Sequence, residues 1–288
     1  MAKQYLHLFQ NENEQINYVR SNYYEPYLGG IETTRKAFYN NLYNIIIDDD
    51  STEYKLKYWW TGEDAPISNL WYDRINNKAW NTTYCTYDAT NKWYDMSGAT
   101  SYCYMNNNSN KQLQFGAQFK IFVRTMFKHN PKKLYGNYFG DFGSLRGGSI
   151  NINLGNTHGT ESSANNDGLG IGINCKSANN NSSNPAWGPS VSVLQNNFKT
   201  WTDFRYLEYE IGYKKLSSTQ ARCYSIYNNQ VANGTIHTPL NWNNIGTGNY
   251  FTLGMGCISS IGSSPGGNGL NSKAFIKMME IKIYVSDT

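Results

Sequence analysis

The chain has 288 residues, 15% of them aromatic and only 16% charged, a length that suits one large β-sandwich whose core can fold without disulfides or metal. Its net charge of +4 is scattered, with no basic run beyond Lys132–Lys133 or Lys214–Lys215, which argues against a nucleic-acid partner, because phosphate backbones call for a clustered basic stripe. No apolar run approaches the roughly 20 residues that cross a bilayer, and Met1–Gln10 lacks the basic start and apolar core of a secretory leader. No membrane partner and synthesis in a cytoplasm are expected.

In chain order, the first stretch stands apart. Tyr5–Phe9 is apolar, Asn11–Arg20 is polar, and Tyr23–Gly30 joins aromatics to Pro26 and a glycine pair, the composition of extended chain and turn. Leu42–Ile47 reads as a strand that stops at Asp48–Asp50. Beyond it, apolar and polar residues alternate with period two. Between Lys111 and His129, one parity carries Leu113, Phe115, Ala117, Phe119, Ile121, Val123 and Phe127. The other carries Gln112, Gln114, Gln118, Lys120, Arg124 and Lys128, predicting a buried and a wet face. Gly148–Gly155 and Gly168–Cys175 alternate in the same way.

Arg205–Lys214 turns Leu207, Tyr209, Ile211 and Tyr213 inward and Glu208 and Glu210 outward. With Thr219–Tyr227 it predicts a hairpin, and Asn228–Gln230 turns again into a strand at Val231. Tyr250–Cys257 and Ala274–Val285 complete the set, the last with Met279, Ile281, Ile283 and Val285 opposing Glu280, Lys282 and Tyr284. Polar loops are expected at Asn156–Asn166, Lys176–Pro189 and Ser259–Ser272. Helix formers are sparse. The pattern predicts an all-β antiparallel sandwich over residues 45–288 behind an extended segment over residues 1–44.

The segment NLWYDRINNKAWN (Asn69–Asn81), the strand LQFGAQFKIFVRTMF, and the order YLEYEIGYK, ARCYSIYNNQVANG, FIKMMEIKIYVS resemble concanavalin-like and laminin-G-like domains. The resemblance implies a jelly roll of the laminin-G type. The leader resembles the opening module of virion proteins from tailed, crAss-like phages of gut Bacteroidales. Its matching residues are Tyr5, Leu6, Leu8 and Phe9, then Tyr24, Glu25 and Pro26, then Tyr39 and Asn40; Tyr27 stands where that group has Trp. This resemblance implies a virion-anchoring role for residues 1–44, with Tyr27 among the anchoring set. It also implies a head fibre, capsid decoration or tail-associated protein in the virion, capsid or tail proteins as partners, and a homotrimer.

Catalytic chemistry is poorly supported. The nearest carboxylate pair, Glu208 and Glu210, sits two apart on a strand, and Lys214 continues that face, so a solvated outer face is the better reading. His7, His129, His158 and His237 lie in unrelated contexts and no GxSxG elbow occurs. The expectation is a non-enzyme without cofactor. The laminin-G-like resemblance implies that one loop could hold Ca²⁺ through Asp167, although an Asx turn explains that residue as well.

Carbohydrate binding needs exposed aromatic faces beside planar polar groups, and Trp187, Trp201, Trp242 and Asn243 are the candidates. Trp71, Trp80 and Trp93 are assigned to the core, and Trp59–Trp60 to packing of the leader on the sandwich. The five cysteines, Cys85, Cys103, Cys175, Cys223 and Cys257, are odd in number and widely spaced, which argues against a disulfide framework; a Cys85–Cys103 bridge stays open. The rival readings are a bacterial lectin, marked by neighbouring polysaccharide-utilisation genes, and a capsular depolymerase, marked by release of reducing sugar.

Overall fold

The computed structural model describes residues 45–48, 50, 52–97, 101–106, 113–129, 137–143, 149–154, 169–176, 187–195, 200–239, 250–254, 257–258, 266–267 and 274–287. The chain divides into two compact units, Met1–Lys55 and Leu56–Thr288. Of the first, the described part is an antiparallel pairing of β1 (Ile45–Ile47) with the opening residues of β2 (Glu53–Thr61), in the register Ile46 opposite Tyr54. The leader residues that resemble an anchoring module lie outside the described residues.

The second unit is β throughout its described length. It continues β2 and adds β3 (Leu70–Tyr72), β4 (Ala79–Asn81), β5 (Thr86–Asp88), β6 (Trp93–Asp95), β7 (Tyr102–Asn106) and β8 (Gln118–His129). Then follow β9 (Asn137–Gly143), β10 (Ser149–Leu154), β11 (Leu169–Lys176), β12 (Trp187–Gln195), β13 (Arg205–Lys215), β14 (Ala221–Tyr227) and β15 (Gln230–Asn233). The last are β16 (Tyr250–Gly254), β17 (Cys257–Ile258), β18 (Gly266–Gly267) and β19 (Ala274–Ser286).

One sheet runs β2, β19, β8, β13, β14, β15, with β6 also on β19 and β5 on β6. Among the described residues the other has eight strands in the order β12, β11, β10, β9, β16, β7, β4, β3. The chain crosses repeatedly between the sheets, and the last strand lies between β2 and β8. This is the all-β antiparallel sandwich that the alternation leads one to expect.

The core lies between the sheets and is rich in aromatics. Trp60 from the first sheet is fully buried, stacks on Tyr58 at 5.6 Å and meets Trp80 from the second at 5.7 Å. Trp71 stacks on Tyr94 at 4.3 Å. Their polar edges find backbone acceptors: Trp71 Nε1 donates to the Thr61 carbonyl at 2.9 Å, and the Tyr94 hydroxyl to the Asp64 carbonyl at 2.8 Å. Large rings so placed combine wide apolar contact with a satisfied polar tip. The assignment of Trp71 and Trp80 to the core therefore holds. Trp60 belongs there too, because even positions of β2 face inward. Trp93 does not: Tyr94 takes the inward position of β6, and Trp93 lies half-buried under the Lys277 ammonium at 4.4 Å.

Three further differences from the sequence expectation have local causes. In β19 the pairing with β8 shifts register between Met278 and Glu280. Ile276 and Met278 face inward before the bulge and Ile281, Ile283 and Val285 after it, so Met279 is the extra residue and not a member of the inward row. Strand β12 starts at Trp187, so the loop expected to run to Pro189 ends sooner and Trp187 opens a strand. The wet parity of β8 is not wet at its start: Gln118 and Lys120 are only 4% and 7% exposed. The Gln118 amide oxygen accepts from the Lys215 backbone, and Lys120 lies against Glu210 and the ring of Tyr224. The expected hairpin of β13 and β14 is present, Tyr213 pairing with Cys223. The turn to β15 has Asn228 and Asn229 both in the left-handed region, at φ 50° and 61°, as a two-residue primed turn requires.

Candidate functional site

On the outer face of the first sheet, alternation in β13 places Glu208 and Glu210 outward, as expected. Arg124 of β8 spans two carboxylates there. Its Nε and Nη2 lie 3.2 and 3.4 Å from Glu208, and its Nη1 lies 3.1 Å from Glu280. The Tyr206 hydroxyl donates to Glu208 at 2.6 Å, and the Trp59 indole donates to Glu280 at 2.7 Å. The Trp59 ring also meets the Arg74 guanidinium at 4.6 Å and the Lys282 ammonium at 4.7 Å. Glu210 is met by Lys120 at 3.4 Å and by the Tyr224 hydroxyl at 2.7 Å.

Partial burial raises the Glu208 carboxyl pKa, but the hydrogen bonds from Tyr206 and Arg124 and the Arg124 charge outweigh it, and the net shift is downward. A glycosidase of this kind needs one carboxyl kept protonated to donate to the leaving group. A carboxylate held ionised by a guanidinium is unsuited to that task. The cluster is a strand-crossing ion network that ties β2, β19, β8 and β13 together.

The outer face of the second sheet is different. In β7 the core residues are Cys103 and Met105, so Tyr102 and Tyr104 point the other way. Tyr84, on the turn after β4, lies over Tyr102 with ring centroids 4.7 Å apart and planes 20° apart. Tyr104 is 6.3 Å from Tyr84 and 6.2 Å from Tyr102. Tyr84 is 48% exposed, while Tyr102 beneath it is buried. Asn81 stands opposite Tyr104 in the pairing of β4 with β7, and Leu70 stands opposite Asn81 in that of β3 with β4, which sets these side chains in one row on one face. The Asn81 side-chain oxygen accepts from the Thr83 backbone at 2.9 Å and so fixes the turn that carries Tyr84.

The arrangement is an aromatic stack with one open ring, flanked by a planar amide. It offers a face for sugar C–H groups and an amide for hydroxyls. Among the described residues it brings no carboxylate pair together.

These tyrosines were not singled out from sequence, where Trp drew the attention. The available signal was the dipeptide Tyr–Cys occurring twice, in TYCTY and SYCYM, with alternation putting Tyr102 and Tyr104 on one side. Of the tryptophans proposed for sugar stacking, Trp201 is a correction. It is 5% exposed and part of the core cluster, with the Arg205 guanidinium 5.1 Å over its ring. A ring buried in the core cluster, with a guanidinium over it, has no open face to offer a ligand. Trp187 opens β12, and its side chain, like Trp242, Asn243 and Asp167, lies outside what is described. Among the described residues no cluster of three or more His, Cys, Asp or Glu could hold a metal ion.

No family model matches the chain, and no curated protein does. Solved structures do resemble it. The Ca²⁺-bound exoplasmic/lumenal domain of VIP36 is 12% identical at a TM-score of 0.44, over 80% of this chain and 91% of that one. The same domain has been solved in a Ca²⁺/Man3GlcNAc-bound form. Alginate lyase Aly36B is 10% identical at a TM-score of 0.40, over 71% of this chain and 84% of that one. The Trypanosoma rangeli sialidase solved with sialic acid is 10% identical at 0.43, over 83% of this chain but 31% of its own.

Proposed function

We propose that this chain is a non-enzymatic structural protein of a phage virion that displays its sandwich outward and binds carbohydrate on the host surface or mucosa. The observation that carries the binding reading is the open Tyr84 ring stacked on Tyr102 beside Asn81 and Tyr104. An exposed tyrosine held flat by a second ring is pre-organised for stacking, since little side-chain freedom is left to lose on binding. The virion role rests on the leader, Tyr5–Phe9 and Tyr24–Tyr27, and on its likeness to the phage anchoring module.

Two experiments test the two halves. The full-length chain is applied to an array of bacterial capsular and mucin-type glycans, and bound glycans are re-measured with Tyr84→Ala, which is expected to weaken binding about tenfold, the scale of one aromatic contact. Binding to no glycan overturns the carbohydrate reading, and undiminished binding by Tyr84→Ala overturns the platform. Deletion of Met1–Asn40 is expected to abolish incorporation into particles while the soluble protein keeps its β circular dichroism. Normal incorporation refutes the anchoring role.

A further inference from the structure

Behind the tyrosine stack, Cys85 Sγ lies 3.1 Å from Cys103 Sγ, and both side chains are thiols. We propose that these two cysteines are an oxidative cross-linking site, closed by exchange with a low-molecular-weight disulfide such as glutathione disulfide. A disulfide bond is about 2.05 Å long, so closure needs the sulfurs to approach by about an ångström.

The two thiols are unequal, and that sets the order of events. Cys85 sits on the turn between β4 and β5 and is partly exposed, whereas Cys103 is fully buried on the inward face of β7. The Cys85 thiol loses its proton to solvent, and its thiolate attacks one sulfur of the external disulfide. One small thiolate leaves and a mixed disulfide remains on Cys85. Cys103, deprotonated in turn, attacks Cys85 Sγ and expels the second small thiolate. Two protein thiols are oxidised to one disulfide, one external disulfide is reduced to two thiols, and both protons go to solvent and end on the released thiols.

The bond joins positions 18 apart. It ties the turn that crosses from the second sheet to the first onto a strand inside the second sheet. Cross-linking removes loop freedom from the unfolded chain, so the oxidised protein is expected to melt several degrees higher. Tyr84 precedes Cys85, and Tyr102 and Tyr104 flank Cys103, so the same bond pins the aromatic stack from behind. Only this last consequence, tighter holding of a glycan platform, rests on the carbohydrate reading.

The test uses the full chain, reduced and then incubated with glutathione disulfide at mildly alkaline pH, alkylated and digested. The expected product is one linked peptide pair holding Cys85 and Cys103, with a raised melting temperature that Cys85→Ser does not show. Cys103→Ser is expected to stop at glutathione mixed with Cys85. The proposal is overturned if both thiols stay alkylatable, or if the parent protein also stops at the mixed disulfide. These readouts need no sugar. Glycan binding is measured separately on the reduced protein, so the failure of either reading leaves the other standing.

Discussion

Thr125 and Tyr209 point into the core with hydroxyls that find no hydrogen-bond partner among the described residues. A buried hydroxyl left unpaired carries its desolvation cost uncompensated, on the order of 1–3 kcal/mol. Thr125→Val and Tyr209→Phe keep the shape and remove that cost, so each is expected to stabilise the fold by about 1 kcal/mol in urea denaturation; a loss of similar size would mean that the hydroxyls are satisfied in solution. On the outer face, Glu208 and Tyr206 give the pH response a sign. The Glu208 pKa is lowered from 4.5, so its contribution is present above the unfolded value and is lost as pH falls through the folded one. The Tyr206 pKa is raised from 10.0 to about 12, by burial first and then by its bond to Glu208. Its contribution is full below pH 10 and disappears as pH climbs through about 12. Glu208→Gln is expected to flatten both limbs of the melting temperature against pH. Identical slopes in variant and parent would separate the pair from the pH response.

Elements are held by a few polar anchors as well as by their apolar rows. The Asp73 carboxylate, buried at the start of the β3–β4 loop, accepts from the backbone N–H of Trp59 and Ile75 at 2.9 Å, Asn76 at 2.8 Å and Lys78 at 3.2 Å. One side chain thus shapes the loop and fastens it to β2. Asp73→Ala is expected to cost about 3 kcal/mol, since hydrogen bonds to an ionised acceptor are the strong kind. A loss below about 1 kcal/mol would show that the loop closes without it. Sequence made the inward row of β13 legible because alternation is local: Leu207, Tyr209, Ile211 and Tyr213 are buried as expected. The hairpin turn at Asn228–Asn229 was legible for the same reason. The bulge in β19 was not: the apolar parity changes from Ile276 and Met278 to Ile281 and Ile283, but Met278 and Met279 are equally apolar, and only the pairing with β8 shows which of them is the extra residue. The tyrosine platform was missed because Tyr84 meets Tyr102 through a turn and a neighbouring strand, outside any one periodic segment.

At the scale of the molecule, the last strand is a keystone. β19 lies between β2 and β8 and buries Ile276, Met278, Ile281, Ile283 and Val285, each worth on the order of 1.5–3 kcal/mol of burial. Removal of residues 274–288 is expected to leave a chain without a cooperative thermal transition. A truncated protein that still melts sharply would refute a single core. The amino-acid sequence by itself determined that this chain is β throughout its alternating length and which parity faces inward, because a strand's two faces repeat every second residue whatever lies beyond. Tertiary structure alone decided which outward side chains are covered. Lys120 and Gln118 are buried although they lie on the polar parity, Trp201 is buried in the core cluster, and Cys85 of a turn meets Cys103 of β7. Those outcomes depend on what distant strands carry past the residue, and period two holds no record of that.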